Sequence, residues 1–361
     1  MIVHRDNLDV LFSPTTRCNL RCRYCYVNQD AAGCISDMTM EDVSAAYLWL
    51  KEYALLIQPK QLHITWFGGE PLLLGPDYLL EALDAQTRAL TGVSVVNYVQ
   101  TNLAMNIEKF VPIFKKYFNN SVGVSIDFAS GCRVFPNGHD SKSVVENNIR
   151  VLKDNNIKIG VVCTLTKDDL GRGAEIYAYF KKLGVLFRVN RAASSPYLTD
   201  QNKALSVSEY EEIVKEIADC YLKDPEPTIT FYNIDFMIAS YLQGIAVMCV
   251  DSERPYNYIG MEANGRIMPR CRFQAVIGNY HTDSAARIYD KFQSTACKYN
   301  RPGACAECNF YGKVCIGSCI GEKDCDCMRS DCGYRTEQTC GLWKYVEDFL
   351  NSQGLGYSSI Q

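Results

Sequence analysis

Strand-like and helix-like segments alternate through roughly the first 200 residues, and few architectures accept that order. Thr39 is placed to cap a helix over Met40–Leu56, with Asp42 three residues on as in a capping box. Leu11–Pro14, Leu62–Trp66, Val93–Gln100, Val122–Ile126, Ile157–Leu165 and Val185–Val189 read as strands. Tyr78–Leu90, Ile107–Tyr117, Ser143–Asn155 and Ala174–Leu183 read as helices between them. About six βα units of this kind predict a parallel sheet with helices outside, a partial (β/α)6 barrel of the TIM type. Functional residues of such barrels sit at the C-terminal ends of the strands.

After residue 200 the pattern weakens. Residues 206–245 predict a helical bridge with a short strand at Thr228–Tyr232. From about residue 246, Cys and Gly dominate and regular periodicity fades, so this part is expected to rely on bound metal to fold. The division predicted is therefore a barrel over 1–205, a bridge over 206–245, a cysteine-rich domain over 246–345 and a tail over 346–361. A net charge of −4 gives no footprint for nucleic acid or an anionic membrane surface. No apolar run approaches the roughly 20 residues that span a bilayer. The first residues, Met1-Ile2-Val3-His4-Arg5-Asp6, are charged where a signal peptide needs an apolar stretch. A cytoplasmic location is expected.

There are 18 cysteines, unevenly placed. Cys18, Cys22 and Cys25 stand together, and eleven lie from Cys249 onward. A chain of this length without a signal sequence does not look like a secreted disulfide framework, so clustered thiols point to metal. Cys34, Cys132, Cys163 and Cys220 stand alone and read as small buried hydrophobes. His63 alternates with apolar neighbours and reads as a satisfied core residue.

The first motif runs Arg17-Cys18-Asn19-Leu20-Arg21-Cys22-Arg23-Tyr24-Cys25. Three thiolates at this spacing can hold three irons of a [4Fe–4S] cluster and leave the fourth iron open. Zinc is the alternative for the same thiols. The C-x3-C-x-aromatic-C pattern resembles the signature of radical S-adenosylmethionine enzymes. Further segments strengthen the resemblance. Gly68-Gly69-Glu70-Pro71 follows the second strand, Gln100-Thr101-Asn102 ends the third, and Ser125-Ile126-Asp127 ends the fourth. Leu103 and Phe128 stand where that family has glycine. The family's following His-Asp-x-x-Arg segment is not recognisable, and Arg133 or His139 are the nearest substitutes. The resemblance implies that Cys18, Cys22 and Cys25 ligate the catalytic cluster. It also implies that Tyr24, Gly68, Gly69, Glu70, Thr101, Asn102 and Ser125 bind S-adenosylmethionine.

The tail carries Cys249, Gly265, Cys271, then Cys305-x2-Cys308-x6-Cys315-x3-Cys319, and Cys340. This resembles the SPASM extension of peptide-modifying radical enzymes, with two spacings one residue long. The resemblance implies one auxiliary [4Fe–4S] cluster on Cys305, Cys308, Cys315 and Cys340. A second would sit on Cys249, Cys271 and Cys319, with Cys325, Cys327 or Cys332 as candidates for its fourth ligand. Structural zinc is the competing reading for the tail.

With three clusters, such an enzyme is expected to make an intramolecular thioether or carbon–carbon bond in a ribosomal peptide. The other readings are anaerobic sulfatase maturation (formylglycine formation) and a non-catalytic iron–sulfur or zinc scaffold. Arg272 occupies the place of the sulfatase maturases' catalytic Asp, and a guanidinium does not serve as a base. About ten residues before the first strand leave no room for a winged-helix leader-binding domain, so substrate recognition is expected to use the barrel mouth, the tail or a separate leader-binding protein. A precursor peptide and a low-potential donor such as flavodoxin or ferredoxin complete the partners; neither nucleic acid nor membrane is among them.

Overall fold

The computed structural model describes residues 6–25, 36–193, 200–244, 255–269, 276–296, 309–310, 314 and 341–355. Six parallel strands follow one another in space as in sequence: β1 (Leu8–Ser13), β2 (Leu62–Trp66), β3 (Val95–Thr101), β4 (Ser121–Ser125), β5 (Lys158–Leu165) and β6 (Leu186–Arg191). Helices α1 (Met40–Ile57), α2 (Pro76–Ala89), α3 (Val111–Tyr117), α4 (Lys142–Asp154) and α5 (Gly173–Leu183) connect them. Each strand is joined to the next by a helical crossover, as parallel pairing requires. The expected α/β partial barrel is therefore the fold, though the element edges differ. β1 begins three residues earlier than the apolar run suggested. The helix expected from residue 107 opens with a tight turn at Glu108–Phe110, and the α-helix proper starts at Val111, beside Pro112.

Local rules explain several of these elements. Thr39 accepts from the Asp42 amide, and the Asp42 carboxylate accepts from the Thr39 amide, so both capping donors of α1 are used. Inward-facing Phe12 stacks on Tyr47 with ring centroids 5.2 Å apart and meets the edge of Trp66 at 5.2 Å. Burial of each such ring contributes roughly 1.5–3 kcal/mol.

Two expectations about the later chain are corrected. Thr228–Tyr232 is not a strand: it makes a single bridge from Phe231 to Phe187 and leads into α7 (Tyr232–Gln243), which follows α6 (Val207–Lys223). Its apolar residues serve as an anchor, with Phe231 stacked on Phe187 at 4.8 Å. The region after 246 also holds more regular structure than expected. Strand β7 (Tyr258–Glu262) runs parallel to β1 on the edge away from β2, and β8 (Arg266–Pro269) and β9 (Gly278–Asn279) extend it antiparallel. Helix α8 (Ala285–Ala296) buries Ile288 and Phe292 and packs against α1, where Trp49 donates to the Asp283 carbonyl at 2.9 Å. Helix α9 (Gly341–Ser352) buries Trp343, Val346 and Leu350 against α6 and α7. These pieces have apolar faces of their own, and their partners are far away in sequence.

Strand register sets the site. Phe12 is level with Trp66, Trp66 with Val99, and Ser125 with Val162. The C-terminal ends of β1 to β4 therefore lie along one rim, and the segments that follow them meet there.

Candidate active site

The loop after β1 carries Cys18, Cys22 and Cys25, and its backbone is held from three sides. The Gly69 amide donates to Thr15 O at 3.0 Å and the Glu70 amide to Arg17 O at 2.7 Å. From the loop after β4, Val134 O accepts from Arg21 N at 2.7 Å and Cys132 O from Arg23 N at 2.9 Å. Asp200 N donates to Arg23 O at 3.2 Å. Thr15 and Arg17 are also tied to Asp37.

Gly68 and Gly69 make this clamp possible. A Cβ on Gly68, at φ +128°, would stand 2.2 Å from Ser13 Oγ, and one on Gly69 would stand 2.0 Å from Arg17 O. The close approach that Gly68 allows is to the Ser13 side chain and the Thr15 carbonyl, and that of Gly69 is to the backbone of Thr16 and Arg17.

Glu70 is fully buried. Its carboxylate accepts from Leu72 N at 3.1 Å, Thr101 Oγ1 at 2.8 Å and Asn102 N at 2.7 Å. Burial pushes the carboxyl up to about 7, against those three donors, which pull it down. Thr101 in turn accepts from Leu103 N at 2.9 Å. Leu103 takes the left-handed conformation, φ +55°, at the position where the resembled family has glycine, and its side chain is wholly buried. Asn148 on α4 fixes that turn by donating to the Leu103 carbonyl at 2.8 Å.

The Asn102 side chain reaches the cysteines. Its Nδ2 lies 3.4 Å from Cys18 Sγ and 2.8 Å from Asn19 Oδ1, and its Oδ1 accepts from Ala104 N at 2.9 Å. Asn19 Nδ2 donates to Ala104 O at 2.8 Å. Asn19 was not singled out from sequence, although it lies inside the cysteine motif.

On the far side, Tyr24 Oη donates to Asp127 Oδ2 at 2.5 Å and accepts from Arg133 Nη1 at 2.6 Å. Asp127 also accepts from Thr164 N at 2.9 Å, and burial holds its carboxyl above the ordinary carboxylate range. The Arg133 Nε is buried with no hydrogen-bond partner among the described residues, beside a small cavity also lined by Asp127, Asp140 and Lys142. Ser125 accepts from Gln100 Nε2 at 2.9 Å. Thus all seven residues expected to bind S-adenosylmethionine lie on this rim. Among the described residues, His139 donates only locally, from its backbone amide to Asn137 Oδ1 at 3.1 Å. Cys132 and Cys163 are buried as expected, while Cys220 is only half-buried. Cys34, Arg272 and all eleven cysteines from Cys249 to Cys340 lie outside the described residues.

The donor set suits an iron–sulfur cluster. Burial raises the Cys18 thiol and pushes Cys22 up to about 12, while the Arg133 charge lowers both. Neutral thiols here become ligands when bound metal displaces their protons. Among the described residues, no three His, Cys, Asp or Glu side chains are gathered tightly enough for a single ion.

Residues 12–170 match the Radical SAM superfamily. That match covers just under half of the chain; those residues carry a radical SAM domain, the chain is an enzyme, and the domain implies S-adenosylmethionine and a [4Fe–4S] cluster. It is 24% identical to a serine-type anaerobic sulfatase-maturating enzyme of Klebsiella pneumoniae, over 69% of this chain and 64% of that enzyme. The match thus spans just under two thirds of that relative's length. Its fold is similar to anSMEcpe with bound AdoMet (TM-score 0.76, 19% identity, 96% of this chain and 98% of the other). It is also similar to Streptococcus suis SuiB bound to the precursor peptide SuiA (TM-score 0.61, 16% identity, 87% and 72%).

Proposed function

We propose that the protein modifies a peptide or protein substrate by radical chemistry and leaves it with a new intramolecular thioether or carbon–carbon bond. The observation that carries this reading is the three-cysteine loop at the barrel rim, in a chain that also bears the seven-cysteine pattern of Cys249, Cys271, Cys305, Cys308, Cys315, Cys319 and Cys340. When bound, the cluster on Cys18, Cys22 and Cys25 and its S-adenosylmethionine supply a 5′-deoxyadenosyl radical. The chain's own part is to hold the cysteine loop rigid, through Gly69, Glu70, Cys132 and Val134, and to line the rim with Tyr24, Thr101, Asn102 and Ser125. The substrate loses one hydrogen atom, then one electron and one proton, so the product is two hydrogens lighter. Cys305, Cys308, Cys315 and Cys340, and Cys249, Cys271 and Cys319, would hold two auxiliary [4Fe–4S] clusters, which would supply that electron a route to an external low-potential carrier protein.

That peptides are the substrate class is supported by SuiB, solved with a precursor peptide, and by anSMEcpe, solved with the Cp18Cys peptide. A second reading is sulfatase maturation, favoured by the Klebsiella relative. Arg272 weighs against it, because it offers only donors where a base is needed. The test is mass spectrometry on candidate peptides, with protein reconstituted anaerobically with iron and sulfide. A loss of two hydrogens with an internal crosslink supports the proposal. Conversion of Cys or Ser to formylglycine overturns it in favour of the second reading. Reduced protein should cleave S-adenosylmethionine, and a triple Ala variant of Cys18, Cys22 and Cys25 should not.

A further inference from the structure

We infer that Asn102 is a positioning residue for the catalytic cluster: its side-chain amide donates a hydrogen bond to the sulfur of Cys18 and so raises the cluster's reduction potential. This rests on Cys18, Cys22 and Cys25 being the cluster ligands, as proposed above. Resemblance gave Asn102 a place at S-adenosylmethionine, but the geometry directs its amide elsewhere. Nδ2 faces Cys18 Sγ at 3.4 Å and Asn19 Oδ1 at 2.8 Å, so both of its hydrogens have acceptors inside the protein. Sulfur is large and soft, and 3.4 Å is an ordinary N–H···S separation, matched here by the Leu20 amide to the same sulfur at 3.4 Å. Asn102 is 5% exposed, which keeps water from replacing the bond.

The orientation of this amide is fixed by its surroundings. Glu70 holds the Asn102 backbone amide at 2.7 Å, and Ala104 N donates to Asn102 Oδ1 at 2.9 Å. That second contact settles which end of the amide is oxygen, so the nitrogen must face the sulfur. Glu70 therefore acts on the cluster through Asn102, linking the end of β2 to the end of β3 and then to Cys18. A donor to a ligand sulfur draws electron density from the metal, and hydrogen bonds to the sulfurs are among the factors that set iron–sulfur potentials. The bond is worth more once the cluster gains an electron, so it favours the reduced state.

The experiment is a redox titration, followed by electron paramagnetic resonance, of reconstituted full-length protein without S-adenosylmethionine. The signal followed is the one absent from the Cys18, Cys22 and Cys25 triple Ala variant. Asn102→Ala and Asn102→Leu should keep that signal but shift it to more negative potential. A tenfold change in the reduction equilibrium, about 59 mV for one electron, is the expected size. Asn102→Gln, whose longer amide can still reach toward the sulfur, should recover part of the shift. Unchanged potentials in both truncations, with weaker S-adenosylmethionine binding instead, would overturn the inference and return Asn102 to a cofactor contact. If the triple variant loses no signal, it is the ligand assignment that fails. If Asn102→Ala loses the cluster altogether, Asn102→Leu and Asn102→Gln carry the test, and wild-type potentials in both refute it.

Discussion

Replacing Gly69 with Ala should dislodge the cysteine loop while leaving the barrel intact. The added Cβ would lie 2.0 Å from Arg17 O and 2.6 Å from the carbonyl carbons of Arg17 and Thr16. All three are backbone atoms, with no rotamer through which to escape. Ordinary contact for such atoms is roughly 3.5 Å, so the loop must retreat by at least about 1 Å. The two bonds that join Gly69 and Glu70 to Thr15 and Arg17, at 3.0 and 2.7 Å, then stretch beyond hydrogen-bond range. Losing two backbone bonds costs about 1–3 kcal/mol, and forced overpacking adds about 1–3 kcal/mol. The sum, roughly 2–6 kcal/mol, falls on the few residues that begin the cysteine motif. Two assays follow from this. Amide exchange should accelerate by at least 30-fold (about 2 kcal/mol) over residues 15–25 but not in β4 or β5. The resonance signal assigned to the Cys18, Cys22 and Cys25 cluster should be largely lost after reconstitution. Wild-type exchange and full cluster content in Gly69→Ala would refute the claim that this glycine exists to admit the Arg17 backbone.

Three other changes test separate parts of the structure. Leu103→Gly relieves a left-handed residue, worth about 1–2 kcal/mol, but removes a wholly buried side chain worth about 2–5 kcal/mol, so the thermal midpoint should fall. Burial raises the Asp169 carboxyl from 3.8 to about 6, so its contribution to stability is complete below the lower value and is lost as pH rises through the upper one. Asp169→Asn should thus remove about 1.4 kcal/mol of the wild-type decline between about pH 5 and pH 8, seen as a flatter dependence of the thermal midpoint on pH. The buried Glu211 carboxylate on α6 accepts from the Gly341 and Leu342 amides at the start of α9. Glu211→Ala should speed amide exchange in α9 by roughly 10- to 100-fold, from the value of hydrogen bonds to a charged group.

The alternation of strands and helices was legible because each element carries its own signal. Thr39 with Asp42 marks a helix start, and the apolar run Leu62–Trp66 ends at two glycines whatever lies beside it. The thiols of Cys18, Cys22 and Cys25 were legible for a similar reason: three ligands in eight residues need no tertiary contact to be recognised as a group. The segments Gly68–Glu70, Gln100–Asn102 and Ser125–Asp127 could also be placed at strand ends, which in a parallel barrel share one rim.

What each of those residues touches was not in the sequence. Resemblance set Gly68 and Gly69 at S-adenosylmethionine, but the space over them is taken by Ser13, Thr15 and Arg17, a contact decided by how β1 and β2 lie in register. Glu70 finds its donors on β3, Asn102 finds Cys18, and Arg133 finds Tyr24 across 109 residues. The Tyr258–Glu262 strand failed to announce itself for the same reason. Five residues without alternation become a strand only when the open edge of β1 supplies the other half of the ladder. Thr228–Tyr232 made the opposite case: it has a strand's composition, but it keeps a single bridge, at Phe231, whose ring stacks on Phe187 as the chain turns into a helix. Short-range chemistry lets the chain declare its helices, its three-cysteine loop and the rim where they meet. Which donor faces which acceptor on that rim depends on pairings between distant segments, and only the folded chain brings those within the 3 Å at which hydrogen bonds act.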